Sequence, residues 1–118
     1  MPTGFEVLRS AGCEADLEAI LDHLVQSYTA LGDPIDNAVD RASARVLGIE
    51  DAMAALGDLP YQGTQVAHLL PGLRRVTKDS AVFYFLIDEP AQVLRVLGVF
   101  FGGQDHTRHI LSRLAQDG

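Results

Sequence analysis

The sequence is short of several things. It has a single cysteine, Cys13, among 118 residues, which excludes an internal disulfide framework and any zinc site built on a cysteine cluster. No apolar run approaches the ~20 residues that a membrane-spanning helix requires. The opening MPTGFEVLRS lacks the charged-then-apolar pattern of a secretory signal, so a cytoplasmic location is expected. Basic residues are few: nine against sixteen acids, for a net charge of −7. That balance argues against direct nucleic-acid binding, because phosphate contact needs a positive surface. No phosphate-binding loop is present, since Gly102-Gly103 is not followed by Lys-Ser/Thr. No motif requires a cofactor.

What is present is ordinary globular composition, 47% hydrophobic and 21% charged, in one domain spanning residues 1–118. The charge is unevenly spread. Residues 1–59 hold three basic residues and eleven acids, net −8, while residues 60–118 hold six and five, net +1. Arg74, Arg75 and Lys78 form a basic strip with no acid between positions 60 and 78, suited to an acidic partner.

Phe5–Arg9 alternates as a short strand does. From about Cys13 to Leu31, the residues Leu17, Ile20, Leu21, Leu24, Val25 and Tyr28 repeat at helical spacing. Asp16, Glu18 and Asp22 fall on the opposite, solvated side. Gly32 stops this helix. Asp33 as cap, Pro34 at the first helical position and Asp36 in the first turn start another. It runs to about Leu56 with a stripe through Ala38, Val39, Ala42, Val46, Ile49 and Met53. Two amphipathic helices with so short a link predict an antiparallel hairpin.

The period changes after Pro60. Gln65–Leu69 and Leu73–Thr77 read as extended pieces around the turn Pro71-Gly72. Ala81–Ile87 and Val93–Phe101 are strong strands. Gly102-Gly103 breaks the last one, and Asp105 caps a closing helix bearing Ile110, Leu111 and Leu114. Strict alternation puts Phe83, Phe85 and Ile87 on one face of the sheet and Val82, Tyr84 and Leu86 on the other. In the next strand it sets Val93, Leu97, Val99 and Phe101 against Leu94, Val96 and Phe100. Both faces are apolar. The hairpin covers one, and the short last helix either covers enough of the other or leaves room there for a partner's amphipathic segment.

Three stretches carry a resemblance. FEVLRSAGCEADLEAILDHL resembles the opening strand and helix of the RelE/ParE toxins of bacterial toxin–antitoxin systems. PGLRRVTKDSAVFYFLID is similar to that family's central strand pair, and VLRVLGVFFGGQDHTRHIL to its last strand and closing helix. The resemblance implies an α+β fold, with an N-terminal strand and helical hairpin on a twisted antiparallel sheet of about four strands. It also implies a cognate antitoxin that wraps the toxin with an amphipathic helix and an extended tail, giving a hetero-oligomer.

The family has two branches. RelE-like members cleave mRNA in the ribosome, and ParE-like members inhibit DNA gyrase by protein contact. A metal-free ribonuclease needs a base, an acid and cations on the phosphorane. The candidates here are Arg74, Arg75, Lys78, Tyr84, His106 and His109. Where the RelE-like branch carries a phosphate-gripping arginine after the last strand, this chain has Gly103, Gln104 and Asp105. An acid there repels phosphate, so the ParE-like branch and no catalytic residues are expected. Arg74, Arg75, Lys78 and Arg95 then become target contacts. Antitoxin contact is expected at the hairpin residues Leu17, Leu21, Leu24, Val39 and Val46, with only the groove-facing edge touched, and at Phe83, Phe85, Leu97 and Phe101. His106 and His109, three apart beside Asp105, lack a third placed ligand, so no metal is expected. Cys13 reads as a small buried residue.

Overall fold

The computed structural model describes residues 4–101 and 106–117. The elements are β1 (Glu6–Arg9), α1 (Ala11–Ala30), α2 (Ile35–Ala55), β2 (Thr64–Gln65), β3 (Arg74–Lys78), β4 (Ala81–Asp88), β5 (Val93–Phe101) and α3 (His106–Asp117). A single 3-10 turn, Leu56–Asp58, ends the hairpin. Among the described residues the strands form one sheet of five in the order β1-β5-β4-β3-β2. The architecture is α+β, a helical hairpin on a twisted sheet, as the sequence predicts.

Several local readings change. The sheet is mixed, because β1 runs parallel to β5 with Glu6 beside Val93 and Arg9 beside Val96. Tight turns force β3, β4 and β5 to be antiparallel, but β1 reaches its neighbour across the whole hairpin, and no turn dictates its sense. Ser10 caps α1 by accepting the Cys13 N–H at 3.0 Å, and its hydroxyl donates to the Leu97 carbonyl at 3.2 Å. Asp33 does not cap α2. It pairs instead with Arg41, whose guanidinium lies 4.0 Å from the centre of the Tyr28 ring. Gly32, at φ +108°, makes the reversal between the helices.

The core divides in two across the sheet. Beneath the hairpin, Cys13, Leu17, Ile20, Leu24, Ile49 and Met53 pack on Phe83, Phe85, Leu94, Val96 and Val99. Each large side chain fully buried there contributes roughly 1.5–3 kcal/mol. On the opposite face Val82, Tyr84, Leu97 and Phe100 pack with Val66, Leu73 and Ile110. Leu97 therefore lies across the sheet from Phe83 and Phe85, not beside them. The cause is a bulge: Tyr84 pairs with Gly98 but Phe85 pairs with Val96, leaving Leu97 as the extra residue. Below the bulge Leu94 and Val96 face the hairpin, and above it Val99 and Phe101 do.

The far face is also more fully covered than the sequence suggests. Gln65–Leu69 is not a strand beyond residue 65. The chain turns at Val66, whose N–H donates to the Leu73 carbonyl at 2.9 Å, and folds Leu69 and Leu70 over the sheet. With Ile110 and Leu114 of α3 this segment closes the face, leaving Tyr84 fully buried and Phe100 3% exposed. Among the described residues, the sheet around Tyr84 and Phe100 is therefore not open for a partner's helix to complete. The break at Gly102-Gly103 and the cap at Asp105 lie outside the described residues.

Candidate functional site

Strand alternation sorts the basic strip onto two faces. Arg74 pairs with Phe85, and Val76 with Phe83, so Arg74, Val76 and Lys78 belong to the hairpin side. Arg75 pairs with Tyr84 and belongs to the far side. Arg95 pairs with Leu86 on that same far side, where it is exposed. Thus Arg75, Tyr84, Arg95, His106 and His109 share one face; Lys78 does not join them, and Arg74, though its strand position faces the hairpin side, lines the same cleft as Arg95.

Within that set one contact is close. The Tyr84 hydroxyl lies 2.8 Å from His106 Nδ1, and the two rings are tilted with centroids 5.9 Å apart. His109 stacks on Phe100 at 5.6 Å. Both histidines thus point at the sheet, and α3 lies over Tyr84 as a cover. Among the described residues no group of three His, Cys, Asp or Glu side chains is placed to hold a metal.

Arg74 is already engaged. It donates to the Tyr61 carbonyl at 2.8 Å and lies 5.7 Å from the centre of the Tyr61 ring. Tyr61 in turn donates to Glu89, and that bond raises the phenol's pKa. These residues wall an open cleft of about 750 Å³ with Leu86 and Arg95 at the ends of β4 and β5.

The hairpin residues separate by exposure. Leu17, Leu24, Phe83 and Phe85 are core and present nothing to a partner. Leu21, Val46 and Phe101 are half-buried, and Val39 is 42% exposed. Leu21, Val25 and Val39 line a shallow groove of about 350 Å³ between α1 and α2, with Asp22 and Gln26 on its side. Exposed Ile35 and Leu47 extend the apolar character of α2, a feature that the stripe of core positions did not isolate.

The acids of α1 are not all solvated. Asp16 Oδ2 accepts the Val99 N–H at 3.0 Å and pairs with Arg113. Its partner is nearly a hundred residues away in sequence, so no local pattern marks it. Arg9 donates to Glu50 at 2.7 Å, which raises its pKa. Arg45 donates to the Asp79 carbonyl at 2.5 Å and lies 5.3 Å from the centre of the Phe101 ring. Cys13 is fully buried, and burial pushes its thiol pKa up to about 12. No helix among the described residues is long and apolar enough to cross a membrane.

No protein-family model and no curated protein matches the chain. Solved structures do. A chain of the chromosomal ParDE TA system from P. aeruginosa superimposes with a TM-score of 0.62 at 21% identity, covering 83% of this chain and 96% of that one. A chain of the toxin–antitoxin complex RelBE2 from Mycobacterium tuberculosis superimposes with a TM-score of 0.52 at 14% identity, covering 84% and 99%. The chain therefore has the fold of the RelE/ParE toxin superfamily.

Proposed function

We propose that this protein is the toxin of a type II toxin–antitoxin module, held inactive by a cognate antitoxin, and that it acts by contact with DNA gyrase. Support for the toxin reading comes from its fold, shared with chains of a ParDE system and of a RelBE2 complex. Support for contact over cleavage rests on one observation. Tyr84 is fully buried beneath α3 with its hydroxyl held by His106, while Arg74 is tied to the Tyr61 carbonyl and Lys78 stands on the opposite side of the sheet. A phosphoryl-transfer site needs its base, acid and cations converging on one open position. The net charge of −7 also disfavours approach to ribosomal RNA. Arg75 and Arg95, on the far face, are the target contacts that remain free of the hairpin. Antitoxin contact falls to Leu21, Val39, Val46 and the exposed edge of Phe101.

The competing reading, a ribosome-dependent endonuclease, draws on the Tyr84–His106 pair, an acid–base couple on the same face as Arg75. Pulse-labelling separates the two. Induction without antitoxin should stop DNA synthesis first and raise a DNA-damage response. Arrest of protein synthesis within minutes would replace the gyrase reading with the nuclease. Continued growth with neither falling would leave only an antitoxin-binding protein.

A further inference from the structure

Tyr61 is 50% exposed, yet three separate parts of the chain hold it in place. Its phenol donates to Glu89, just past the end of β4. The Phe5 ring meets its ring edge-on, with centroids 6.2 Å apart. Arg74 of β3 donates to its carbonyl and lies over its ring. An aromatic side chain that faces water but is already fixed loses little freedom when a partner covers it, which is the property of an interface anchor. The ring stands between two hollows. One is the open cleft of about 750 Å³ at the ends of β4 and β5, and the other, of about 340 Å³, is lined by Leu59 and Pro60. Leu59 is 67% exposed, so the patch around the ring is apolar.

The charges of the cleft are committed unevenly. Elsewhere Arg9, Arg41 and Arg113 each close on a carboxylate. In the cleft the acids are bonded to its own walls: Glu89 receives the Tyr61 phenol, and Asp88 Oδ1 accepts the Ala91 N–H at 3.2 Å. Arg95 lines the same cleft, is exposed, and has no bonded partner among the described residues.

We infer that this cleft is where the protein's target docks, with Tyr61 as the anchor, and that the docking segment is a stretch of protein carrying an apolar side chain beside an acidic one. The apolar side chain seats on Tyr61 and Leu59, and the carboxylate meets Arg95. The inference rests on the proposed reading of a toxin that acts by protein contact, and adds to it the anchor and the chemistry of the segment gripped. Apolar cover of a fixed ring supplies the affinity, and the charge-assisted bond to Arg95 fixes the register. A nucleic-acid strand suits the cleft poorly, because its run of phosphates would pass Asp88 and Glu89 as well as Arg95. A single carboxylate meets the arginine alone.

The test compares full chains induced without antitoxin. Tyr61→Ala and Arg95→Glu should each raise the inducer level needed for growth arrest by about tenfold or more, as loss of an interface anchor predicts. Both side chains face solvent, so circular dichroism should show a folded chain and antitoxin binding should match wild type. Arg95→Ala should lose less than Arg95→Glu, because only the glutamate repels the target's carboxylate. Leu31→Ser removes an apolar side chain that is 80% exposed at the tip of the hairpin, and should change nothing. Unchanged arrest by Tyr61→Ala or by Arg95→Glu, equal effects of the two Arg95 variants, or an equal loss from Leu31→Ser would overturn the inference. Inhibition of gyrase supercoiling by the purified wild-type chain decides the gyrase reading separately. If supercoiling is untouched while the cleft variants still lose arrest, the docking site stands and its target is another protein. A wild-type chain that arrests no growth would overturn the inference and the toxin reading together.

Discussion

Arg113 and Asp16 meet in a two-pronged ion pair, Nη1 to Oδ2 at 2.6 Å and Nη2 to Oδ1 at 2.8 Å, across a sequence separation of 97. The same guanidinium donates to the Leu97 carbonyl at 2.9 Å and lies 5.7 Å from the centre of the Phe100 ring. Two glycines make room for it. A Cβ at Gly12 would come 2.5 Å from Arg113 Nε, and one at Gly98 would come 3.0 Å from Nη1. The pair thus pins α3 to α1 and to the bulge of β5.

Arg113→Ala should destabilise the fold by about 3 kcal/mol, because it strands a largely covered carboxylate. Urea unfolding measures the loss. Limited proteolysis should cut first in α3. Arg113→Lys, unable to reach both oxygens, should fall between wild type and the alanine variant. An alanine variant as stable as wild type would show that the pair holds nothing in place.

Gly57→Ala should be about as damaging. A Cβ there would fall 2.1 Å from the Phe5 carbonyl oxygen, and the Gly57 carbonyl accepts the Phe5 N–H at 2.8 Å. Backbone faces backbone, so no side chain can swing away and β1 must move. A loss of about 2–4 kcal/mol is expected, with broadened amide signals in β1.

Cys13 should react with thiol reagents only when the protein unfolds. Burial raises its thiol pKa from an ordinary 9.0 to about 12, so the folded chain holds the neutral form. The unfolded chain releases that proton near pH 9, so this contribution to stability is complete below pH 9 and drains away as pH climbs toward 12. Labelling rates at pH 8 should track urea-induced unfolding. Fast labelling without denaturant would contradict the burial. Cys13→Ser, which sets a hydroxyl 3.8 Å or so from the Met53 sulfur, should cost about 1–3 kcal/mol.

If the protein acts by contact with gyrase, His106→Ala should leave growth arrest and antitoxin binding close to wild type, whereas Arg75→Ala, at a proposed target contact, should weaken growth arrest and leave antitoxin binding intact. Tyr84→Phe should lose about 1 kcal/mol, the worth of one hydrogen bond, and on the same reading leave growth arrest unchanged. Abolition of arrest by His106→Ala, with antitoxin binding intact, would assign the pair a catalytic role.

The sequence made the element order and the two apolar sheet faces legible, because both are periodic signals carried by local residues. Its errors share a different cause. The face of Leu97 depends on a single extra residue at a bulge, and alternation has no means of registering one. The seat of Asp16 depends on Arg113 at the far end of the chain. The fold of residues 66–73 over Tyr84 depends on one backbone bond between Val66 and Leu73, in a stretch that reads equally well as a strand. The candidate site was legible as a list of residue types, but not as two separate faces with a buried tyrosine between them.

The pairing of β1 with β5 also governs when the protein can exist at all. Glu6 needs Val93 beside it, so β1 emerging from a ribosome lacks its neighbour until β5 has been made. Until then the helical hairpin can form locally, but β4 exposes a bare edge and an unroofed row of aromatics. A chain cut short before Phe101 is therefore not a weakened version of this protein. It is an aggregation-prone fragment, and whatever the finished molecule does to a cell waits on the synthesis of β5.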